Sequence, residues 1–312
     1  MRFAVLFPGQ GSQAVGMGAG LFDARPDLLG PAADELLGWS LHDMCLEGPE
    51  EVLTRTEHAQ PAIYAVSYAL WSELRGRLAE SPAAAAGHSL GEYTALAASG
   101  ALDYFDGLRL VAARGRAMAA AADREPSGMA ALIGADLAAA ETMADFRRRD
   151  GGRLWVANLN APGQVVLSGG AEDIEWAAAN AAEFGIRRAV PLKVAGAFHS
   201  PFMEGAAADL ADALAGVDTS PGAFPVWANA TASPHGEAIG PMLVAQLTAT
   251  VRFAESLVSI AETGVGIFVH VGPGDVTAGL AKRSVEGTEA MAVSSIDDIA
   301  AAAERLAAPP VT

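Results

Sequence analysis

Short runs of apolar residues alternate along this chain with longer segments in which apolar residues recur every three or four positions. Short apolar runs are typical of buried strands, and the wider spacing is typical of amphipathic helices. The pattern predicts strands at residues 2–7, 83–86, 129–134, 154–160, 164–168, 187–194, 225–229, 267–271 and 290–295. It predicts helices at residues 60–78, 90–99, 106–122, 137–149, 171–184, 201–215 and 241–248, a helix ending near 283, and short helices over 31–53. The alanine- and proline-rich residues 300–312 are expected to fray.

The order of elements in the middle of the chain differs from that on either side. Residues 129–194 read strand, helix, strand, strand, helix, strand, which is the order of a ferredoxin-like unit. We therefore expect a small ferredoxin-like subdomain at residues 125–194. It would be inserted into a larger unit formed by residues 1–124 and 195–312.

A serine between two glycines marks the point where one predicted strand meets one predicted helix. Residues 86–92 read Ala-Gly-His-Ser-Leu-Gly-Glu, with Gly87 and Gly91 two positions before and after Ser89. This is the pattern of a nucleophile elbow, whose helix N-terminus stabilises negative charge developing beside the serine. Because the pattern is short, an idle serine in a glycine-rich turn stays open at this point.

The loop after the first strand offers a second interpretation. Its Gly9, Gly11 and Ala14 match a dinucleotide-binding fingerprint, which favours a nicotinamide enzyme. Glycines at 16, 18 and 20 and a proline at 26 interrupt the helix that this fingerprint needs. A better use of the loop is to direct backbone N–H groups at an oxyanion.

Composition and charge narrow the class of protein. The 312 residues carry a formal net charge of −17, which argues against nucleic acid and anionic membrane as partners. No apolar run is long enough for a signal peptide or a membrane span. A lone Cys45 excludes an internal disulfide and fits the cytoplasm. We expect a cytoplasmic monomer. The histidines at 42, 58, 235 and 270 lack metal-ligand spacing, and we expect neither a metal nor a redox cofactor.

Six segments carry a resemblance to a known family. They are FPGQGSQ at residues 7–13, GHSLGE at 87–92, RGR at 114–116, NLNAPGQ at 158–164, GAFH at 196–199 and VGPG at 271–274. In this order they resemble the malonyl-CoA:acyl carrier protein transacylases, the family that also includes the acyltransferase domains of polyketide synthases. The resemblance runs over nearly the whole chain and implies an α/β fold. Its large subdomain is α/β-hydrolase-like and carries the ferredoxin-like insert, with the active site between them.

The resemblance implies a role for each of several residues in acyl transfer. Ser89 is the nucleophile that takes the malonyl group from CoA as an ester, and His199 is its general base. The backbone N–H groups of Gln10 and Leu90 form the oxyanion hole. A backbone carbonyl at Gln246 orients the imidazole, although residues 249–250 depart from the Asn-Pro that relatives often carry.

The resemblance also implies how the acyl group is selected. Arg114 binds the malonyl carboxylate through two parallel hydrogen bonds, and Gly115 beside it predicts a close approach by another part of the chain. His88 shapes the acyl pocket. Phe198 fills the space that an α-methyl branch would need, where relatives that accept methylmalonyl carry a smaller residue.

The function implied is malonyl transfer from malonyl-CoA to an acyl carrier protein, for fatty-acid or polyketide synthesis, with CoA as part of a substrate rather than a cofactor. Three alternatives stay open. One is a stand-alone polyketide synthase acyltransferase with another extender unit, one is a thioesterase or acyl hydrolase on the same scaffold, and one is an idle carrier-protein binding module. A basic patch could bind an acidic carrier protein, and its candidate residues are Arg187, Arg188, Lys282 and Arg283.

Overall fold

The computed structural model describes residues 2–308, whose strands form two sheets. The strands are β1 (Phe3–Phe7), β2 (Ala84–Gly87), β3 (Ser127–Ile133), β4 (Leu154–Ala161), β5 (Gln164–Gly170), β6 (Arg188–Pro191), β7 (Val226–Ala228), β8 (Ser233–Pro234), β9 (Ile267–Val271) and β10 (Glu289–Val293). The helices are α1 (Leu21–Ala24), α2 (Pro26–Leu29), α3 (Pro31–Leu37), α4 (Leu41–Leu46), α5 (Glu50–Leu53), α6 (Thr56–Arg75), α7 (Gly91–Ser99), α8 (Tyr104–Ala122), α9 (Leu137–Arg149), α10 (Ala171–Asn180), α11 (Glu204–Leu214), α12 (Ile239–Gln246), α13 (Phe253–Glu262), α14 (Val276–Ser284) and α15 (Asp298–Ala307). Short 3₁₀ helices lie at Ala181–Phe184 and Pro201–Met203.

The larger sheet has the strand order β10-β9-β1-β2-β7-β8 and is parallel except for β8. Its central strands β9, β1 and β2 are buried along their whole length, as continuous apolar runs in a parallel sheet should be. Phe7 at the end of β1 pairs with Gly87 at the end of β2. The loop after β1 and the elbow after β2 therefore leave the same edge of the sheet side by side.

The smaller sheet is antiparallel, with the strand order β4-β5-β3-β6. The β-α-β-β-α-β order is as expected, and the buried apolar side chains of this unit form a core of their own. The two sheets confirm the predicted α/β fold class with a large and a small subdomain. The division of the chain at residues 125 and 194 stays a prediction.

Two local expectations need correction. Helix α6 begins at Thr56 rather than residue 60, so Pro61 lies inside the helix and not at its first position. Residues 298–307 form α15 instead of fraying, because Ile299, Ala302 and Leu306 recur at helical spacing and pack into the main core. The rest of that expectation, residues 309–312, lies outside the described residues. Helices α1, α2 and α13 and strand β8 were not predicted.

Candidate active site

The elbow holds Ser89 in a strained conformation that its two glycines permit. Ser89 has φ +50°, which non-glycine residues rarely adopt. A Cβ on Gly87 would lie 1.8 Å from the backbone carbon of Gly91, and a Cβ on Gly91 would lie 2.2 Å from the Phe7 carbonyl oxygen. Both positions therefore require glycine. The result is a serine projected at the tip of the turn, just before the N-terminus of α7.

Ser89 and His199 are in direct contact although 110 residues separate them. The Ser89 Oγ lies 2.8 Å from the His199 Nε2, and the His199 Nδ1 donates to the Gln246 backbone carbonyl at 2.9 Å. His199 is 4% exposed. Burial, with a further contribution from the charge of Arg114, lowers the pKa of His199 to about 3. The imidazole is therefore neutral at physiological pH and can accept the serine proton.

Arg114 points into the same site from α8 and is 1% exposed. One terminal nitrogen donates to the Gln60 Oε1 at 2.7 Å, and the other donates to the Ser89 Oγ at 2.9 Å and to the Gln246 Oε1 at 3.0 Å. Its Nε has no partner among the described residues, and the guanidinium lies 5.5 Å from the centre of the Tyr93 ring. Burial lowers the pKa of Arg114. Among residues 2–308 no carboxylate is bonded to this cation, so a buried positive charge without an anionic partner lies beside the nucleophile.

Gln246 connects these groups to one another. Besides accepting from His199 and Arg114, it donates through Nε2 to the Ser89 carbonyl at 2.9 Å. Asn229, at the end of β7, accepts from the Ser89 backbone N–H at 2.7 Å and donates to the Gly87 carbonyl at 2.7 Å. Both peptide groups of the strained serine are thus bonded to side chains of the large subdomain.

Gln10 and Leu90 flank Ser89 on the two loops that leave the sheet edge. Within residues 2–308, neither backbone N–H donates to a protein acceptor, so both are free for an oxyanion. The Gln10 side chain is fixed instead, because its Nε2 donates to the Thr56 Oγ1 at 3.1 Å at the start of α6. Their assignment as the oxyanion hole stays a prediction that this geometry allows.

His88 and Phe198 connect the site to the small subdomain. The His88 Nε2 donates to the Asn160 Oδ1 at 2.7 Å, and burial lowers the pKa of His88. The Phe198 carbonyl accepts from the Ser168 hydroxyl, and its ring is 6% exposed. The neutral His88 is bonded to Asn160 and not to the Ser89 hydroxyl, which fits a pocket-shaping role and not that of a base.

A cavity of about 390 Å³ opens between the two subdomains. Seven of the eight predicted site residues line it, and the side chain of Gln246 lies behind the wall. The seven are Gln10, His88, Ser89, Leu90, Arg114, Phe198 and His199. Val166, Leu192 and Val194 of the small subdomain close the opposite side, and Arg55 and Lys193 also line it and are exposed.

Three functional neighbours were missed from the sequence. Gln60 stands directly before Pro61 and was interpreted only as a helix start. Glu92 lies inside the elbow motif, but the motif does not indicate that its side chain bonds to Asn229 and Gln246. Asn229 carried no signal, since its contact with Ser89 spans 140 residues of chain.

Among residues 2–308, no three His, Cys, Asp or Glu side chains come together in a group that could hold a metal ion. In the same part of the chain, no helix combines the length and the apolar character needed to cross a membrane.

The comparisons with known proteins cover nearly the whole chain. A family model described as an acyl transferase domain matches residues 5–299. The malonyl CoA-acyl carrier protein transacylase of Bacillus subtilis (strain 168) is 40% identical over 309 residues, covering 98% of this chain and 97% of the relative. A crystal structure of the acyl-carrier-protein-S-malonyltransferase of Bartonella henselae matches with a TM-score of 0.93 and 37% identity, covering 99% of this chain and 100% of that chain. A structure of a type II PKS acyl-carrier protein in complex with its malonyl-transacylase matches with a TM-score of 0.92 and 37% identity, covering 98% and 100%.

Proposed function

The chain belongs to the acyl transferase family, and we propose that it transfers malonyl from malonyl-CoA to the phosphopantetheine thiol of an acyl carrier protein through an ester on Ser89. The observation that carries this proposal is the buried Arg114 guanidinium, 2.9 Å from the Ser89 Oγ. A cation at this place gives binding energy to an acyl group that ends in a carboxylate. Malonyl is a short acyl group of that kind.

The first half-reaction forms the ester. The neutral His199 Nε2 takes the Ser89 hydroxyl proton as the Oγ attacks the thioester carbonyl. The negative charge on the carbonyl oxygen is bound by the backbone N–H groups of Gln10 and Leu90. When the tetrahedral intermediate collapses, the C–S bond breaks and the CoA sulfur takes the proton from His199.

The second half-reaction reverses these roles. The carrier-protein thiol gives its proton to His199 and attacks the malonyl ester carbonyl. The C–O bond to Ser89 breaks, the serine oxygen recovers the proton, and the malonyl thioester leaves on the carrier protein. Each proton and acyl transfer is assigned to a group of this chain or of a substrate, so the proposal requires no cofactor.

Arg114 changes partners when the acyl group enters. Before acylation one of its terminal nitrogens donates to the Ser89 Oγ, and this bond weakens once the oxygen belongs to an ester, because an ester oxygen is a poorer acceptor. The malonyl carboxylate then supplies the acceptor, while Gln60 and Gln246 keep the guanidinium plane in place. Methylmalonyl would also satisfy Arg114, so discrimination against it is assigned to the Phe198 ring.

The two other kinds of function fit the site less well. A thioesterase for simple acyl chains gains nothing from a buried guanidinium beside its nucleophile. A binding module does not require the Ser89–His199 contact of 2.8 Å. One curated relative is a polyketide biosynthesis malonyl CoA-acyl carrier protein transacylase of Bacillus subtilis, whereas the name of the other Bacillus subtilis relative gives no pathway. We propose that the chain serves either fatty-acid or polyketide synthesis. We also propose that it acts in the cytoplasm as a monomer.

Transfer and hydrolysis are separated by one assay. The enzyme is mixed with malonyl-CoA, with and without a holo acyl carrier protein, and malonyl-carrier protein and free malonate are measured by mass spectrometry. We expect malonyl-carrier protein as the main product and little malonate. Rapid release of malonate that the carrier protein does not suppress would instead make the chain a hydrolase.

A further inference from the structure

A buried carboxylate lies directly behind the elbow and takes no part in the transfer steps above. Glu92 is three residues after Ser89 in the first turn of α7, and its side chain is fully buried. Its Oε2 accepts from the Asn229 backbone N–H at 2.8 Å and from the Gln246 Nε2 at 2.7 Å. Its Oε1 accepts from the His235 Nε2 at 2.8 Å. Burial of a carboxylate is costly, and these three donors compensate it.

The two residues that Glu92 holds are the ones that hold the nucleophile and the base. Asn229 bonds to the Ser89 N–H and to the Gly87 carbonyl. Gln246 bonds to the Ser89 carbonyl through its side chain, and its backbone carbonyl accepts from the His199 Nδ1. A shift of Gln246 or Asn229 would therefore move both partners of the 2.8 Å contact between Ser89 and His199.

Glu92 also fixes which way the Gln246 amide points. A carboxylate only accepts hydrogen bonds and a guanidinium only donates them. With its NH₂ group on Glu92, Gln246 must turn its oxygen toward Arg114, as the 3.0 Å contact shows. The reversed amide would place an NH₂ group against the guanidinium, which is repulsive.

We propose that Glu92 and His235 form a positioning pair that holds Gln246 and Asn229, and through them Ser89, His199 and Arg114, in the geometry of acyl transfer. The inference rests on the proposed function, because it assigns a role within that same site. His235 completes the pair by occupying the second oxygen of the carboxylate. Without that donor the carboxylate can rotate away from Asn229 and Gln246.

His235 is placed where its removal can be tested chemically. Its side chain is 5% exposed, and its Nδ1 has no partner among the described residues. The residue lines a second cavity of about 710 Å³, together with Leu96, Phe224 and Ile239. Free imidazole can therefore reach the space that a His235→Ala substitution would leave.

The test measures loading of Ser89 in a single turnover at saturating malonyl-CoA, so that the maximal rate is separated from substrate binding. Glu92→Gln keeps the shape of the side chain but replaces one acceptor by a donor. We expect its maximal loading rate to fall about 10- to 100-fold at an unfolding temperature close to wild type. Asp173→Asn is the matched control, since Asp173 is a buried carboxylate that accepts from Arg147 and from the Arg153 N–H. Its loading rate should equal that of wild type.

His235→Ala should lose loading rate as Glu92→Gln does, and added imidazole should restore it. Glu92→Gln loading at the wild-type rate, or an equal loss in Asp173→Asn, would overturn the inference. If Glu92→Gln does not fold, recovery of His235→Ala by imidazole supports the pair and lack of recovery overturns it. Wild-type enzyme that never loads Ser89 would contradict the proposed function instead.

Discussion

At the scale of single residues, we propose that the choice of acyl group depends first on Arg114. Arg114→Ala should lose malonyl transfer and gain relative activity on acetyl-CoA. In the wild-type enzyme an acetyl group leaves the buried guanidinium with Gln60 and Gln246 but without an anion, at a cost of about 1 to 3 kcal/mol. The measurement is kcat/KM for malonyl-CoA and acetyl-CoA. Arg116→Ala, an exposed arginine of the same helix, is the control and should keep the wild-type ratio. An unchanged ratio in Arg114→Ala would refute the carboxylate clamp.

We assign the second part of this selectivity to Phe198. The Phe198 ring lines the acyl cavity one residue before His199, and we propose that an α-methyl branch would meet it there. One methyl group in a fixed pocket is worth about 1 to 3 kcal/mol, so we expect malonyl to be preferred over methylmalonyl by roughly 10- to 200-fold. Phe198→Ser should narrow this gap in kcat/KM. A variant that still loads malonyl and keeps the full gap would place the discrimination elsewhere.

At the scale of elements, the packing of α8 against α6 explains why Gly115 stands beside Arg114. A Cβ at Gly115 would lie 2.9 Å from the Thr56 carbonyl oxygen and 3.1 Å from the Glu57 Cα. The close approach that the sequence predicted is confirmed, and it is made by the first turn of α6. That turn carries Thr56, the partner of Gln10, and leads to Gln60, the partner of Arg114.

Gly115→Ala should therefore destabilise the protein although alanine is the better helix former by about 1 kcal/mol. The clash is with backbone atoms, which cannot move aside without shifting α6. Gly279→Ala in α14 is the matched control, because a Cβ there would meet no atom within 4 Å. Thermal unfolding should show a lower Tm for Gly115→Ala and an unchanged or higher Tm for Gly279→Ala. Equal effects at both positions would contradict the packing argument.

The same scale shows what the sequence could predict. The spacing of apolar residues predicted most strands and helices. Strand β2 was predicted from the elbow motif instead, because its alanines are poor strand formers. The family resemblance brought together residues that the structure places around one cavity. Asn229 and the partners of Glu92 could not be predicted, because hydrogen bonds between distant segments leave no local pattern. Helix α15 was missed because its alanines hid the spacing of Ile299 and Leu306.

At the scale of the whole molecule, the net charge of −17 should repel an acidic carrier protein unless local cations meet it. Arg187 and Arg188 lie at the start of β6, and Lys282 and Arg283 lie in the last turn of α14; all four are exposed. Charge reversal at these positions should raise the KM for carrier protein and leave loading by malonyl-CoA unchanged, because only the second half-reaction needs the docking surface.

The control for docking is Arg149→Glu, an exposed arginine at the end of α9. It should leave both half-reactions as in wild type. If reversal of the four candidate cations slows loading and transfer equally, the patch does not act in docking.

The central claim is that Ser89 carries the malonyl group between the two substrates. It is tested most directly by brief exposure of the enzyme to malonyl-CoA, followed by acid quench, peptide mapping and mass spectrometry. We predict one malonyl ester on the peptide that contains Ser89, its disappearance when holo carrier protein is added, and no adduct in Ser89→Ala. A malonyl adduct that persists in Ser89→Ala would contradict the account.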